Sequence, residues 1–327
     1  MKFAWIGHDK NPVKYPLTLG PYFEIYNKFV QNNYEYTTNL DEVSDLKFII
    51  VFDAKKKIIK KLRKKYTNIK LFLIVTEPYH INNKPWSLKY RKEFQKVFAF
   101  STTWASVLGG ISIPHPQNLS LKSSEEGSIN SINRLVYIGS NYYSFNYGQK
   151  YHLRRKVINK LVKNGILIDT YGKNWNIPRH KEIFLSITGL LVMVKNRMKP
   201  DFNFSILTHR VKRSSKGVID DKHYILNKYR FALIIENSDG YISEKIYDAI
   251  KAKCIPIYLG KGLPGRCITI SENVTPLEIN KLKAIMHDER EYRKVFNSID
   301  FNFNEINEEN SYPNVCNQLY QLISQEL

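Results

Sequence analysis

Cysteine is scarce in this chain, and its spacing argues against two kinds of site. The three cysteines among 327 residues are Cys254, Cys267 and Cys316. An odd number without a C-x-x-C pair predicts neither a disulfide framework nor a zinc site. The same usage favours a reducing compartment, so we expect a cytosolic protein.

Long apolar runs are also absent. The amino terminus, MKFAWIGHDK, has no apolar core of signal-peptide length, and no run approaches the length of a membrane span. We therefore expect neither a signal peptide nor a spanning helix. The apolar run IFLSITGLLVMV at 183–194 has basic flanks and is suited to lying on a bilayer. A buried or capping helix is the plainer interpretation of this run, and membrane contact is the alternative.

Acidic residues are outnumbered, with 30 against 50 basic ones and a formal net charge of +20. This balance favours polyanionic partners such as nucleotide phosphates, acidic glycolipids or an anionic leaflet, without selecting among them. The stretch KKKIIKKLRKK at 55–65 is the densest basic segment. A solvated helix covering a sheet is its default interpretation, and contact with the inner face of the cytoplasmic membrane is the alternative.

Short apolar runs alternate with amphipathic stretches through two parts of the chain. The strand-like runs are KFAWIG, LKFIIVFD, KLFLIVTEP and KVFAFS, then RLVYIGSN, ILIDTYG, RFALIIEN and CIPIYLG. A serine-rich polar stretch at 117–133 separates the two series and is predicted to be a linker. Strand and helix in alternation predict an α/β protein with two Rossmann-like, doubly wound domains facing a central cleft.

We expect a first domain at 1–120 and a second domain at 134–310. A helix at 311–327 is expected to pack back on the first domain. Ligands of such sheets bind beyond the carboxyl ends of the strands. The loops to inspect therefore follow Gly7 and Thr76 in one domain and Gly139, Gly172, Ile235 and Gly260 in the other.

A polar cluster joins an apolar strand to a helix at 236–245. Ile242, Ile246, Ala249 and Ile250 recur at helical spacing and are predicted to face the sheet, leaving Glu244, Lys245 and Asp248 to point elsewhere. Ser243 is a candidate N-cap, and a helix amino terminus favours an anion. Lys245 in the first turn opposes the helix dipole, a cost that a bound diphosphate would reverse. The alternative is a surface helix start with both charged side chains in water.

The stretch at 229–260 resembles the donor-binding motif of the family 10 glycosyltransferases, the α-1,3/1,4-fucosyltransferases. That motif runs Y-K-F, apolar strand, E-N-S, a short loop, Y-x-T-E-K, helix and P-x-x-x-G. Its matches are Tyr229-Arg230-Phe231, Glu236-Asn237-Ser238, Tyr241 to Lys245, and Pro256 to Gly260. The loop after Ser238 is shorter than in the family, and Ser243 replaces threonine.

A second stretch is similar to the same family. Ser140-Asn141 follow a strand, Arg154 precedes Leu161 by seven residues, and 169–172 reads Asp-Thr-Tyr-Gly. On this pattern Arg154, rather than Arg155, is the expected diphosphate ligand, because a guanidinium binds phosphate oxygens bidentately. The alternative for either arginine is a solvated helix position.

The family places its catalytic base at the end of an amino-terminal-domain strand, closely followed by proline. LFLIVTEPYH supplies Glu77 and Pro78 in that arrangement. A carboxylate at a strand's carboxyl edge is partly desolvated, which raises its pKa toward the working pH of a base. The alternative is that Glu77 caps the following turn.

The resemblance implies a GT-B fold and inverting transfer of fucose from GDP-fucose to a glycan hydroxyl, with an α-1,3 linkage. The expected acceptor is a surface polysaccharide or lipopolysaccharide. Arg154 and Lys245 would contact the diphosphate, and Asn237, Tyr241 and Glu244 the nucleoside and sugar. No Asp-x-Asp occurs, so we expect no metal and no cofactor.

Three histidines follow apolar runs of the first domain and are candidate acceptor contacts: His8, His80 and His115. The plainer interpretation of each is a hydrogen-bonded loop residue.

GKGLPG at 260–265 matches a dinucleotide-binding pattern, but no helix is predicted after it, so a turn is expected instead.

Two alternatives stand beside fucosyl transfer. A transferase of the same fold could use another nucleotide sugar. A nonenzymatic polyanion-binding protein would also carry this charge, although no known nucleic-acid-binding motif occurs and we expect no nucleic acid partner.

Overall fold

The computed structural model describes most of the chain, with gaps. The described residues are 1–6, 21–38, 40, 45–52, 56–79, 82–116, 131–142, 150–176, 181, 183, 184, 187, 191, 215–238, 242–302 and 311–327. The chain divides into two compact units. The first comprises Met1–Leu121 with Asn304–Leu327, and the second comprises Lys122–Phe303.

The first unit is a parallel sheet covered by helices. Its strands are β1 (Lys2–Ile6), β2 (Glu35–Tyr36), β3 (Leu46–Phe52), β4 (Lys70–Val75), β5 (Lys96–Ala99) and β6 (Ile111–Ser112). The helices between them are α1 (Pro21–Gln31), α2 (Lys56–Lys65), α3 (Leu88–Arg91) and α4 (Thr102–Leu108). The strand order is β2-β1-β3-β4-β5-β6, all parallel. The strands β3 and β4 are almost wholly buried, which explains their continuous apolar sequences.

The last helix of the chain, α10 (Tyr312–Ser324), belongs to this first unit. Ser311 caps its amino terminus by accepting from the Asn314 N–H at 3.2 Å. Its inner face, which includes Leu319 and Ile323, is buried in the same core as α1. The rings of Tyr320 and Phe29 lie 5.0 Å apart. Burial of this face is what holds the carboxyl-terminal segment to the first sheet.

The second unit repeats the arrangement. Its strands are β7 (Ile132–Ile138), β8 (Ile168–Tyr171), β9 (Tyr229–Ile234), β10 (Ile255–Leu259) and β11 (Ile268–Ile270). Its helices are α5 (Tyr151–Lys163), α6 (Lys222–Leu226), α7 (Glu244–Lys251), α8 (Pro276–His287) and α9 (Glu289–Ser298). The strand order is β11-β10-β9-β7-β8, again all parallel.

The strand order of the second unit reverses at β7. From β7 the chain first adds β8 on one side and later returns to add β9 on the other. Ligands of open α/β sheets bind where the order reverses, beyond the carboxyl ends of the two strands. The candidate site of this unit therefore lies beyond β7 and β9, the strands that precede Ser140 and Glu236.

One sequence prediction needs correction, and another is confirmed. The predicted linker at 117–133 extends too far, because Ile132 and Asn133 lie in β7, where the Ile132 N–H donates to the Lys228 carbonyl at 2.9 Å. Residues 117–130 are outside the described part. After the glycine-rich turn at 260–265 the chain enters β11, as expected, and not a helix.

The apolar run at 183–194 is described at four positions. Ile183, Phe184, Ile187 and Leu191 are helical, and each exposes 43% or more of its surface. A buried helix is therefore the wrong interpretation for these four side chains. Within the described residues, no helix is long and apolar enough to cross a membrane.

Candidate active site

A buried carboxylate stands at the end of β9. Glu236 exposes only 4% of its surface, directly after an apolar strand. Three donors satisfy it: the Ser243 N–H at 2.9 Å, the Ser243 hydroxyl at 2.7 Å and the Lys245 ammonium at 2.9 Å. A buried charge needs such partners, because burying it without them is costly. Glu236 thus ties the end of the strand to the start of α7.

Helix α7 begins as the sequence predicts. Ser243 is the N-cap, and its hydroxyl also accepts from the Lys245 N–H at 3.4 Å. Ile246, Ala249 and Ile250 are completely buried against the sheet. The positively polarised end of this helix therefore lies beside the end of β9.

The Ser243 hydroxyl is expected to stabilise this joint. Replacing Ser243 with Ala removes both the N-cap and one hydrogen bond to a buried charge, and should lower the free energy of unfolding by about 1–3 kcal/mol. Ser243→Thr keeps the hydroxyl and should restore most of the loss. Urea denaturation of both variants checks this, and equal stability of S243A and wild type would contradict the role of the hydroxyl.

Arg154 reaches the same place from another helix. It projects from α5 and is 3% exposed. Its Nη1 donates to the Ser140 carbonyl at 3.0 Å, and its Nη2 donates to Asn237 Oδ1. The guanidinium lies 4.6 Å from the centroid of the Tyr151 ring. Its Nε is buried and has no acceptor among the described residues. Two of the five guanidinium N–H groups are thus used in the hydrogen bonds to Ser140 and Asn237.

The structure brings Arg154 and Lys245 to adjacent residues. Arg154 binds Asn237, and Lys245 binds Glu236. The two cations come from α5 and α7, which are separate in sequence, and they contact consecutive residues beyond the end of β9. Two cations and a helix amino terminus are a suitable environment for a diphosphate.

Tyr137 provides a second indication that these groups are close. It is the buried tyrosine near the end of β7, and the Arg154 guanidinium lies 6.0 Å from its ring centroid. Burial raises the pKa of the Tyr137 hydroxyl, the charge of Arg154 lowers it and the charge of Glu236 raises it. The positive and negative groups of the site therefore act on one hydroxyl.

Arg155 has a different environment from Arg154. It is 1% exposed, and its Nη1 donates to Asn141 Oδ1 at 2.7 Å and to the Tyr142 carbonyl at 2.9 Å. These bonds fix the loop that follows β7. Arg155 therefore holds the loop, while Arg154 points to the end of β9.

The close approach of two loops explains the glycine of the Asp-Thr-Tyr-Gly stretch. Gly172 follows β8 with a φ of 128°, and a side-chain carbon there would lie 2.6 Å from the Gly139 carbonyl oxygen. Only glycine fits such a backbone without displacement. The loops after β7 and β8 are joined further by the Asn141 N–H, which donates to the Lys173 carbonyl at 2.9 Å.

Three residues of the family-like pattern have a scaffold role. The Tyr229 hydroxyl donates to Asp169 Oδ2 at 2.9 Å, and the Tyr171 and Tyr229 hydroxyls lie 3.1 Å apart. Burial raises the pKa of Tyr229. These contacts connect β8 to β9 across β7, so they hold the two strands in position.

The other predicted donor contacts are partly described. Glu244 is half-buried, and the Lys222 ammonium lies 3.8 Å from its Oε1. Asp248 is buried, with Lys222 Nζ 2.6 Å from its Oδ2. Asp248 therefore faces α6, a partner that sequence periodicity did not reveal. Tyr241 lies outside the described residues.

In the first unit, Glu77 follows β4 and is half-buried. Burial raises the pKa of its carboxyl group, which is the direction that a general base at neutral pH requires. His115 follows β6, and its ring lies 5.2 Å from that of Phe100. His8 and His80 are outside the described residues.

The sequence analysis did not predict the hydrogen bonds that Ser243 donates to the buried Glu236 carboxylate. The available signal was a carboxylate at the end of a continuous apolar strand, where a buried charge requires nearby donors.

Within the described part of the chain, no group of three or more histidine, cysteine, aspartate or glutamate side chains could hold a metal ion.

Solved structures that are similar in fold to the chain include nucleotide-bound and sugar-transferring proteins. HepE from Anabaena, in complex with UDP and glucose, aligns with a TM-score of 0.57 at 11% identity, covering 99% of this chain and 100% of that one. An α1,3-fucosyltransferase aligns with a TM-score of 0.57 at 14% identity, covering 99% and 90%. The chain has the GT-B fold.

An alpha-glucosyltransferase in complex with UDP is also similar to this GT-B chain, with a TM-score of 0.56 at 9% identity and coverage of 99% and 98%. No protein-family model matches the chain. GDP-fucose protein O-fucosyltransferase 3 of Canis lupus familiaris is 31% identical over 96 residues. That match covers 26% of this chain and 20% of the relative. Membership of family 10 stays a prediction.

Proposed function

We propose that this GT-B chain is a glycosyltransferase whose second unit binds a nucleoside diphosphate sugar. The observation that carries the proposal is that Arg154 and Lys245 contact two consecutive residues, Asn237 and Glu236. Fixed cations and a helix amino terminus stabilise a pyrophosphate in the ground state and as a leaving group. The position beyond β7 and β9 is the one that ligands of this sheet type use.

GDP-fucose is the donor that we propose. Its support is the similarity of residues 229–260 to the fucosyltransferase motif, together with the fucosyltransferases among the similar proteins. The second candidate is a uridine nucleotide sugar, which the complexes of HepE and the alpha-glucosyltransferase with UDP favour. Both candidates need the same diphosphate contacts.

In the proposed reaction, Glu77 takes the proton from an acceptor hydroxyl. The acceptor oxygen attacks the anomeric carbon from the face opposite the nucleotide, and the bond from that carbon to the β-phosphate oxygen breaks. Arg154 and Lys245 balance the charge that develops on the departing GDP. A β-linked donor then gives an α-linked product, with inversion, and no metal takes part in the proposed step.

The acceptor belongs to the same proposal. We expect a hydroxyl of a surface polysaccharide or lipopolysaccharide, an α-1,3 linkage, and acceptor contacts from the first unit that include His115, His8 and His80. A cytosolic enzyme acting on such glycans would work at the inner face of the cytoplasmic membrane. The exposed apolar side chains of Ile183, Phe184, Ile187 and Leu191 support peripheral contact there.

A donor panel tests the proposal. The protein is incubated with GDP, UDP, GDP-fucose and UDP-glucose in EDTA, and its thermal unfolding and donor hydrolysis are measured. A ligand at 100 times its Kd stabilises a protein by about 2.7 kcal/mol. Protection by GDP and hydrolysis of GDP-fucose are expected. Protection by UDP alone would favour the second candidate, and no protection by any nucleotide would contradict the proposed activity.

A further inference from the structure

Helix α2 of the first unit has one strongly basic face. Its sequence, KKIIKKLRKK, contains six lysines, one arginine and no acidic residue. Ile59 and Leu62 are buried toward the sheet. The exposed side chains on the other side are Lys57, Lys60, Lys61, Lys64 and Lys65. We call Lys57, Lys60, Lys61 and Lys64 the α2 lysines.

The α2 lysines have no carboxylate partner within the described part of the chain. By contrast, Arg63 turns inward, where Nη1 donates to the Ile69 carbonyl at 2.7 Å and Nε lies 3.5 Å from Glu93 Oε2. Lys65 donates to the Leu40 carbonyl at 2.6 Å. Spacings of three and four residues place the α2 lysines on one side of the helix, so their charges add.

A groove of about 800 Å³ lies beside these lysines. Leu40, Ile58, Leu62 and Tyr66 supply its apolar lining, and lysine side chains form its rim. Ile58 is exposed although it is a large apolar residue. Ammonium groups around a hydrocarbon-lined groove match a molecule with an anionic head and an apolar tail.

We propose that the α2 lysines and this groove dock the protein on an anionic membrane surface. The argument is charge complementarity, since the lysines carry uncompensated positive charge and the groove offers apolar contact below them. Single-stranded nucleic acid would instead require exposed aromatic rings for stacking. The aromatic residue of the groove, Tyr66, is half-buried, and its hydroxyl donates to the Leu40 carbonyl. The proposal does not depend on the identity of the sugar donor.

Vesicle sedimentation tests the docking. Wild-type protein should bind vesicles of phosphatidylglycerol and phosphatidylcholine, bind vesicles of phosphatidylcholine alone weakly, and dissociate as salt is raised. The variant K57Q/K60Q/K61Q/K64Q keeps residues of similar helix propensity. At about fivefold per lysine near an anionic surface, its partitioning should fall on the order of a hundredfold or more.

The chain offers a control with the same change of net charge. Lys163, Lys281, Arg290 and Lys294 are exposed residues of the second unit, and their replacement by Gln should weaken binding only a few-fold. Equal losses in both variants would show that the charge acts diffusely and would overturn the proposal. Failure of the wild type to bind anionic vesicles would also overturn it, as would RNA binding by the α2 lysines without vesicle binding. Thermal unfolding midpoints equal to that of the wild type in both variants show that the variants are folded. Neither this control nor vesicle binding involves a nucleotide, so the test stays separate from that of the sugar-transfer proposal.

Discussion

Replacement of Glu77 by Gln should lower kcat for sugar transfer by about 10²–10⁴-fold, because the variant cannot accept the proton of the acceptor hydroxyl. Glutamine preserves the shape of the side chain, so the KM for the donor should change little. The measurement is product formation from labelled donor at saturating acceptor. Glu35→Gln, at an exposed position of the same unit, is the matched control and should retain wild-type activity.

The pH dependence separates a base from a structural residue. Burial raises the pKa of Glu77 above 4.5, so kcat/KM of the wild type should fall as pH decreases through that raised value. This fall in kcat/KM at acidic pH should be absent from E77Q. An unchanged acidic limb in the variant would contradict the role of Glu77 as base.

The stability of E77Q follows from the same shift. The folded protein binds this proton more tightly than the unfolded chain, so ionised Glu77 costs stability above its folded pKa, and the cost disappears below its unfolded pKa. E77Q should therefore be at least as stable as the wild type at pH 7. A large loss of stability would instead indicate that Glu77 caps the following turn.

Loss of either Arg154 or Lys245 should reduce activity nearly as much as loss of Glu77. Arg154→Ala and Lys245→Met are each expected to lower kcat/KM by about 10²–10³-fold, because each removes charge stabilisation of the leaving diphosphate. Lys163→Gln is the control for charge on α5, since Lys163 is exposed on the same helix, and it should behave as the wild type. Initial rates at low donor concentration provide the measurement.

A change in folding must be distinguished from a loss of binding. Lys245→Met leaves the buried Glu236 without its ammonium partner, which is destabilising in itself. The double variant E236Q/K245M removes both charges and should recover stability without recovering activity. Recovery of activity in the double variant would show that Lys245 serves only to neutralise Glu236.

Local patterns in the sequence were sufficient to predict the fold class. Continuous apolar runs such as FIIVF and LFLIV are required by strands that are buried on both faces of a parallel sheet, and the structure contains them as β3 and β4. The start of α7 at Ser243 was also predictable, because N-caps and helical spacing are local properties. The boundary of the linker could not be predicted from local patterns, because Ile132 is held in β7 by a hydrogen bond to Lys228, which is distant in sequence.

For the candidate site, the sequence predicted which residues to consider but not how they are arranged in space. The sequence indicated Arg154 and Lys245, but not that they would contact neighbouring residues of one strand end. That outcome depends on the placement of β9 beside β7, which is a long-range property of the sheet order. The burial of Asp248 beneath Lys222 has the same origin, because the short helix α6 gives no strong local signal of its packing partner.

The most direct measurement of the central claim is the equilibrium binding of GDP and UDP, each compared with its unphosphorylated nucleoside, in EDTA. Calorimetric titrations of wild type, R154A and E236Q/K245M provide it. If one pyrophosphate lies between the two helices, both variants should lose at least about tenfold in affinity for the preferred diphosphate, as for one charged hydrogen bond, and bind its nucleoside as the wild type does. Wild-type diphosphate affinity in both variants would contradict the account.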